Sequence, residues 1–173
     1  MNTPAAPELP ATLDAARLSQ ELAAQIRPRL RPNTHLVGLY TGGVWLAETL
    51  AEQLGLGAPG VLDISFYRDD LNERGLALAP KPSAPGIDIN DAHIILVDDI
   101  LQTGRTIRAA LNVLFDYGRP ACVELAVLVD RGERQLPIAA QYCALTLSSP
   151  LPEHQRLKLE RGAAGELQLR LER

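Results

Sequence analysis

Ile94-Ile95-Leu96-Val97-Asp98-Asp99-Ile100-Leu101-Gln102-Thr103-Gly104-Arg105-Thr106 is the stretch that decides how the chain is read. An apolar run of strand length, starting at His93 and ending at Val97, delivers two neighbouring carboxylates. A turn with two threonines and a glycine then opens a helix. A helix start offers N–H groups without intrahelical partners and the positive end of the helix dipole, which together suit a phosphate. Gly104 lets the backbone come close to that phosphate, Thr103 and Thr106 add hydroxyl donors, and Arg105 and Arg108 add charge. Asp98 and Asp99 cannot hold a phosphate, because like charges repel. They suit vicinal hydroxyls, since an ionised carboxylate is purely an acceptor. Acids for a diol beside donors for a phosphate describe a ribose 5-phosphate. The stretch contains neither Gly-x-x-x-x-Gly-Lys nor Gly-x-Gly-x-x-Gly, so it is not a Walker loop or a dinucleotide fingerprint.

Downstream, Ile107, Ala110, Leu111 and Leu114 form a helical stripe from Arg105 to Tyr117, stopped by Gly118. Cys122 to Val129 reads as a buried strand that ends in Asp130-Arg131-Gly132. In the tail, Leu157 and Leu159, then Leu167, Leu169 and Leu171, alternate around a turn at 161–165 and predict a hairpin. Upstream, Thr12 is placed as the cap of a helix to about Arg27, with Leu18, Leu22 and Ile26 on one face and Pro28 and Pro32 ending it. His35 to Tyr40 predicts a strand, Thr41-Gly42-Gly43 a tight loop, and Leu46, Leu50 and Leu54 an amphipathic helix closed by Gly55. Leu62, Ile64 and Phe66 alternate with polar partners and predict a strand with two unlike faces. Between 72 and 91, Gly75, Pro80, Pro82, Pro85 and Gly86 break every period, which predicts a flexible catalytic loop acting as a lid.

Strands alternating with helices predict an α/β domain with a mainly parallel central sheet flanked by helices. Ligands in such sheets bind beyond the C-terminal ends of the strands. Connectivity alone therefore brings Thr41-Gly42-Gly43, the 98–106 segment and Asp130-Arg131 to one edge.

The 173 residues suit a single domain, read here as 12–173 after a Pro- and Ala-rich lead-in at 1–11 that is expected to be disordered and does not resemble a signal peptide. No apolar run approaches the roughly 20 residues of a membrane span. Two cysteines, Cys122 and Cys143, make no disulfide framework and no metal cluster; both are expected to be small core residues in a reducing, cytoplasmic setting. His35, His93 and His154 are scattered and imply no metal site. The formal charge of −4 argues against a broad nucleic-acid surface, although Arg17, Arg27, Arg29 and Arg31 make one local basic cluster.

The 94–106 string resembles the signature for 5-phosphoribosyl-1-diphosphate (PRPP) of type I phosphoribosyltransferases. The stretch from Leu62 to Leu71 (LDISFYRDDL) resembles a characteristic segment of the PyrR family, the pyrimidine operon attenuation regulators with uracil phosphoribosyltransferase activity. Leu125 to Gly132, Arg134 to Ile138 and Asp116 to Pro120 are similar to it as well. The resemblance implies the type I fold with a small hood at 144–173, and the conversion of uracil and PRPP to UMP and diphosphate. It implies Mg²⁺ carried on the diphosphate, with no direct protein ligand, and a homodimer or homotetramer. A uridine-nucleotide-responsive regulator that binds leader RNA, with weak or no catalysis, is the alternative; a phosphoribosyltransferase for another base is a third reading. By the same resemblance Asp98 and Asp99 hold the ribose hydroxyls; no residue declares itself as a general base, Asp99 being the candidate to assist. Ile100, Leu101 and Gln102 lead into Thr103, Gly104, Arg105 and Thr106 around the 5-phosphate. Thr41, Gly42 and Gly43 form the diphosphate loop, Arg68 stands at the entry to the catalytic loop, Arg74 and Lys81 supply its charges, and Asp130 and Arg131 line the uracil side. Three positions depart from the family pattern: Gly42 replaces an arginine, Gln102 a tyrosine, and 144–149 (ALTLSS) the usual segment after Tyr142.

Overall fold

The computed structural model describes residues 12–64 and 86–172. Five strands form a parallel sheet in the order β3-β2-β4-β5-β6. They are β2 (Thr34–Leu39), β3 (Gly60–Leu62), β4 (His93–Leu101), β5 (Cys122–Asp130) and β6 (Tyr142–Thr146). Two helices, α1 (Ala15–Ile26) and α2 (Gly42–Leu54), cover one face, and α3 (Arg105–Tyr117) covers the other. Strand alternation splits the core accordingly. Ile95, Val97 and Leu128 pack with Leu22, Ile26, Leu46 and Leu50, whereas Ile94, Leu96 and Val127 pack with Ile107, Ala110 and Leu114. A second, antiparallel sheet, β1-β8-β7, is built from β1 (Thr12–Leu13), β7 (Arg156–Arg161) and β8 (Leu167–Glu172). Its apolar face, Leu157, Leu159 and Leu169, closes over the α1–α2 side of the core. No helix among the described residues is long and apolar enough to cross a membrane.

The parallel sheet, the helical stripe at 105–117 and the tail hairpin stand where the sequence places them. Several local expectations are corrected. Thr12 does not cap α1: it pairs with Arg170 in the ladder, and Asp14 is the cap, accepting from the Arg17 N–H at 2.9 Å. Gly42 and Gly43 are not loop residues but the first turn of α2. β4 does not stop at Val97; parallel pairing with β5 carries it through both aspartates to Leu101. β6, absent from the sequence reading, pairs with the C-terminal half of β5. β3 covers only Gly60–Leu62; Ile64 is buried beyond it, and the Phe66 end of that expected strand lies outside the described residues. Of the expected catalytic loop, 72–85 lies outside them too. Its last residues are anchored at the opposite end of the sheet: Ile89 is buried, Asp91 donates its N–H to the Arg119 carbonyl at 2.9 Å, and Asn33 donates to the Asp91 carbonyl at 2.7 Å. They are therefore a structural buttress and no part of a lid. Cys122 and Cys143 are half-buried at strand positions, short of the full burial expected of them.

Candidate functional site

At the C-terminal edge of the parallel sheet lies a cavity of about 750 Å³. Its floor is the end of β4. Asp98 is 3 % exposed, while Asp99, one residue on and therefore facing the other way, is half-exposed. Asp98 accepts from the Asp99 N–H at 3.1 Å and Asp99 from the Ile100 N–H at 3.0 Å, so local backbone bonds orient both carboxylates.

Two helix N-termini converge on this floor. On one side α3 begins at Gly104, whose φ of 90° is the left-handed conformation a glycine tolerates. Thr103, just before this cap, accepts from the Arg105 N–H at 3.2 Å. On the other side α2 begins at Gly42, directly after Thr41 and a cis Tyr40–Thr41 peptide bond. Gly42 lies so close to Asp99 that an added Cβ would stand 2.2 Å from its Oδ2; a Cβ on Gly43 would stand 2.3 Å from the Val97 carbonyl oxygen. These glycines let the start of α2 lie flat on the end of β4.

The loop from Leu101 to Gly104 is braced from behind. The Thr103 carbonyl accepts from the N–H groups of Gln135 and Leu136 at 3.0 and 3.2 Å. Arg134 donates to the carbonyls of Gln102, Gly132 and Ile138 and to the Asp130 carboxylate. One guanidinium thus joins the phosphate-type loop, the end of β5 and the 132–138 segment.

Thr41, Gly42, Asp98, Asp99, Ile100, Leu101, Gln102, Thr103, Gly104, Thr106 and Arg131 all line the cavity, as the sequence reading grouped them. Four expected residues do not, and one of them is Arg108, which is exposed on α3 away from the cavity lining. Gly43 is buried beneath the floor, Arg105 turns outward and donates to Gln135 at 2.9 Å, and Asp130 is held by Arg134 and by the Gly132 N–H at 2.8 Å. Arg68, Arg74 and Lys81 lie outside the described residues. The Arg131 side chain is 11 % exposed; it pairs with Glu133 at 3.2 Å, and its Nε has no hydrogen-bond partner among the described residues.

Sequence reasoning missed the far wall, made by Trp45 on α2 and by Glu153, Gln155, Arg156 and Lys158 at the β7 edge. No local motif marks these positions. The available signal was the alternation of β7, whose polar residues Arg156 and Lys158 are exposed while Leu157 and Leu159 face the core. Hydrogen bonds from Lys158 to Glu160 and Glu172 raise its pKa above the usual lysine value.

Residues 8–150 match the family model of the phosphoribosyl transferase domain. The chain is 46 % identical over 152 residues to the bifunctional protein PyrR of Ralstonia nicotianae, covering 86 % of this chain and 87 % of that one. It is 47 % identical over 158 residues to the bifunctional protein PyrR of Pseudomonas aeruginosa, covering 91 % and 89 %. The chain belongs to the PyrR family of phosphoribosyltransferases. Solved structures show the same fold at low identity. A hypoxanthine-guanine phosphoribosyltransferase from Bacillus anthracis superposes with a TM-score of 0.64 at 21 % identity, covering 82 % of this chain and 86 % of that one. A purine phosphoribosyltransferase from Pyrococcus horikoshii superposes with a TM-score of 0.61 at 22 % identity, covering 80 % and 85 %.

Proposed function

We propose that the cavity binds PRPP and uracil and forms UMP and diphosphate. The observation that carries this reading is the pair Asp98–Asp99 between two helix N-termini in one cavity. The N-terminus of α3, with Thr103, Gly104 and Thr106, takes the 5-phosphate, and Asp98 and Asp99 take the ribose hydroxyls. The N-terminus of α2, at Thr41 and Gly42, takes the diphosphate. Ile100, Leu101 and Gln102 shape the wall between. Arg131 approaches a uracil carbonyl, since its unpaired Nε–H is a buried donor that a ligand acceptor would satisfy.

The cavity carboxylates, Asp98, Asp99, Glu133 and Glu153, are hard oxygen donors compatible with Mg²⁺ brought in on the diphosphate. When bound, Mg²⁺ neutralises the charge that develops on the leaving diphosphate. The chain's own part is to hold the ribose by its hydroxyls and its phosphate, so that the anomeric carbon, cation-like at the transition state, faces the base. Asp99 is the candidate to assist with a proton there, and Arg74 and Lys81 are the loop charges assigned to the diphosphate. The working form is a homodimer or homotetramer.

Leader-RNA binding responsive to uridine nucleotides is the second reading, and the word bifunctional in the relatives' names favours keeping it. Against a large role for the early basic cluster, Arg17 pairs with Glu21, Arg27 donates to the Gln53 carbonyl and Arg29 lies over Tyr142. Incubation with PRPP, Mg²⁺ and uracil should yield UMP and diphosphate. Turnover with hypoxanthine or guanine and none with uracil would overturn the pyrimidine assignment. Filter binding with a pyrimidine-operon leader tests the second activity.

A further inference from the structure

We propose that His93, Cys122 and Glu124 form a zinc-binding site at the N-terminal edge of the parallel sheet, the edge opposite the cavity. The strand register brings them together. His93 lies opposite Cys122 and Ile95 opposite Glu124 in the β4–β5 ladder. Side chains two apart on a strand share a face. All three therefore project to the α1–α2 side, where Ile95 belongs to the core. Their ligand atoms lie within 4.8 Å of one another, and His93 Nε2 is 3.1 Å from Glu124 Oε2. Tetrahedral zinc with bonds of about 2.0–2.3 Å needs ligand atoms about 3.3–3.6 Å apart. The imidazole and carboxylate are already near that spacing, and the thiol sulfur lies within 4.8 Å of both.

The surroundings support a metal as well as they support the hydrogen bonds now present. His93 is 1 % exposed, and its Nδ1 sits 2.8 Å from Thr34 Oγ1, the kind of outer partner that fixes the ring of a metal-bound histidine. Glu124 is 7 % exposed and is held by the Tyr142 hydroxyl on Oε2 and by Arg29, 3.6 Å away, on Oε1. Burial favours its protonated form, but hydrogen bonds from Tyr142 and His93 and the nearby Arg29 charge outweigh this and hold its pKa below the usual value. Cys122 is half-buried, so an ion has an approach from solvent. Thiolate, imidazole and a single carboxylate select zinc over magnesium or calcium, with water as the fourth ligand. On binding, the thiol gives up its proton to solvent, and the imidazole proton that Nε2 now donates to Glu124 moves to Nδ1, where Thr34 Oγ1 accepts it. Thiolate and carboxylate balance the two charges of the ion.

The test uses the full chain, stripped of metal with a chelator and desalted, without PRPP. One equivalent of Co²⁺ should produce a thiolate-to-cobalt charge-transfer band that Zn²⁺ abolishes. Cys143→Ser should keep the band and Cys122→Ser should lose it. Competition against a chromophoric chelator should show zinc affinity reduced by about 10- to 100-fold or more in Cys122→Ser and His93→Gln. Zinc should raise the melting temperature of the parent chain and not that of Cys122→Ser. That variant changes only sulfur to oxygen at a half-buried site, so it decides the matter even if His93→Gln does not fold. A missing band, a band that survives in Cys122→Ser, or equal zinc affinity in that variant and the parent would make the triad a hydrogen-bonded network and nothing more.

Discussion

Gly43→Ala should lower stability, although helix propensity alone predicts a gain. Gly43 is in the first turn of α2, and replacing a helical glycine with alanine would ordinarily stabilise by up to about 1 kcal/mol. Here the new Cβ would stand 2.3 Å from the Val97 carbonyl oxygen and 3.1 Å from the Asp98 Cα, where even a close carbon–oxygen contact needs about 3.3 Å. Val97 cannot retreat, because β4 is paired at that residue to Gly38 on one side and Ala126 on the other. The start of α2 must lift instead. Overpacking of this kind costs about 1–3 kcal/mol. In a domain of this size that is a fall of roughly 2–12 °C in melting temperature. The neighbouring Gly42→Ala is the control. Its Cβ would meet the Asp99 carboxylate, a side chain that turns away at an off-rotamer cost of about 0.5–1.5 kcal/mol. That variant should fall by only about 1–6 °C in melting temperature and should lose PRPP affinity, because the turned Asp99 carboxylate no longer meets the ribose. Thermal unfolding by circular dichroism and PRPP titration by calorimetry read the two effects separately. A Gly43→Ala chain as stable as the parent would refute the close-packing argument, and unchanged PRPP affinity in Gly42→Ala would refute the coupling of α2 to Asp99.

Replacing Asp98 and Asp99 together by asparagine should preserve the far-ultraviolet dichroism and remove two charge-assisted contacts worth about 1.5–3 kcal/mol each. PRPP affinity should fall by roughly two to four orders of magnitude, and an unchanged calorimetric Kd would mean that these acids do not hold the ribose. Arg134→Ala removes the donor that joins Gln102, Gly132, Ile138 and Asp130, so the melting temperature should fall by an amount equivalent to about 1–3 kcal/mol. Arg134→Lys should restore little of it, because a single ammonium cannot span the same acceptors, and a lysine variant as stable as the parent would contradict that geometry.

Much of this molecule was legible one residue at a time. The apolar run at 93–97, the stripe at Ile107, Ala110, Leu111 and Leu114, and the alternating leucines of the tail each declare a local period, and each forms the element that period demands. Because βαβ connections place strand ends on one edge, the same reading grouped Thr41, the 98–106 segment and Arg131, and all of these except Arg105 line one cavity. Other features depend on partners distant in sequence. Thr12 joins a ladder rather than capping a helix because Arg170 supplies the pairing, and β4 runs through its aspartates because β5 lies alongside. Trp45, Arg156 and Lys158 reach the cavity only after the hairpin folds over α2. His93, Cys122 and Glu124 looked unrelated until two strands aligned them. Local periodicity and backbone connectivity are properties of the chain itself, so the sequence determined the sheet, its helices and the edge where ligand chemistry gathers. Register, and the direction in which each side chain leaves its element, arise only when separate strands pack, so tertiary structure alone decided which groups face the cavity, which brace it and which meet at the far edge.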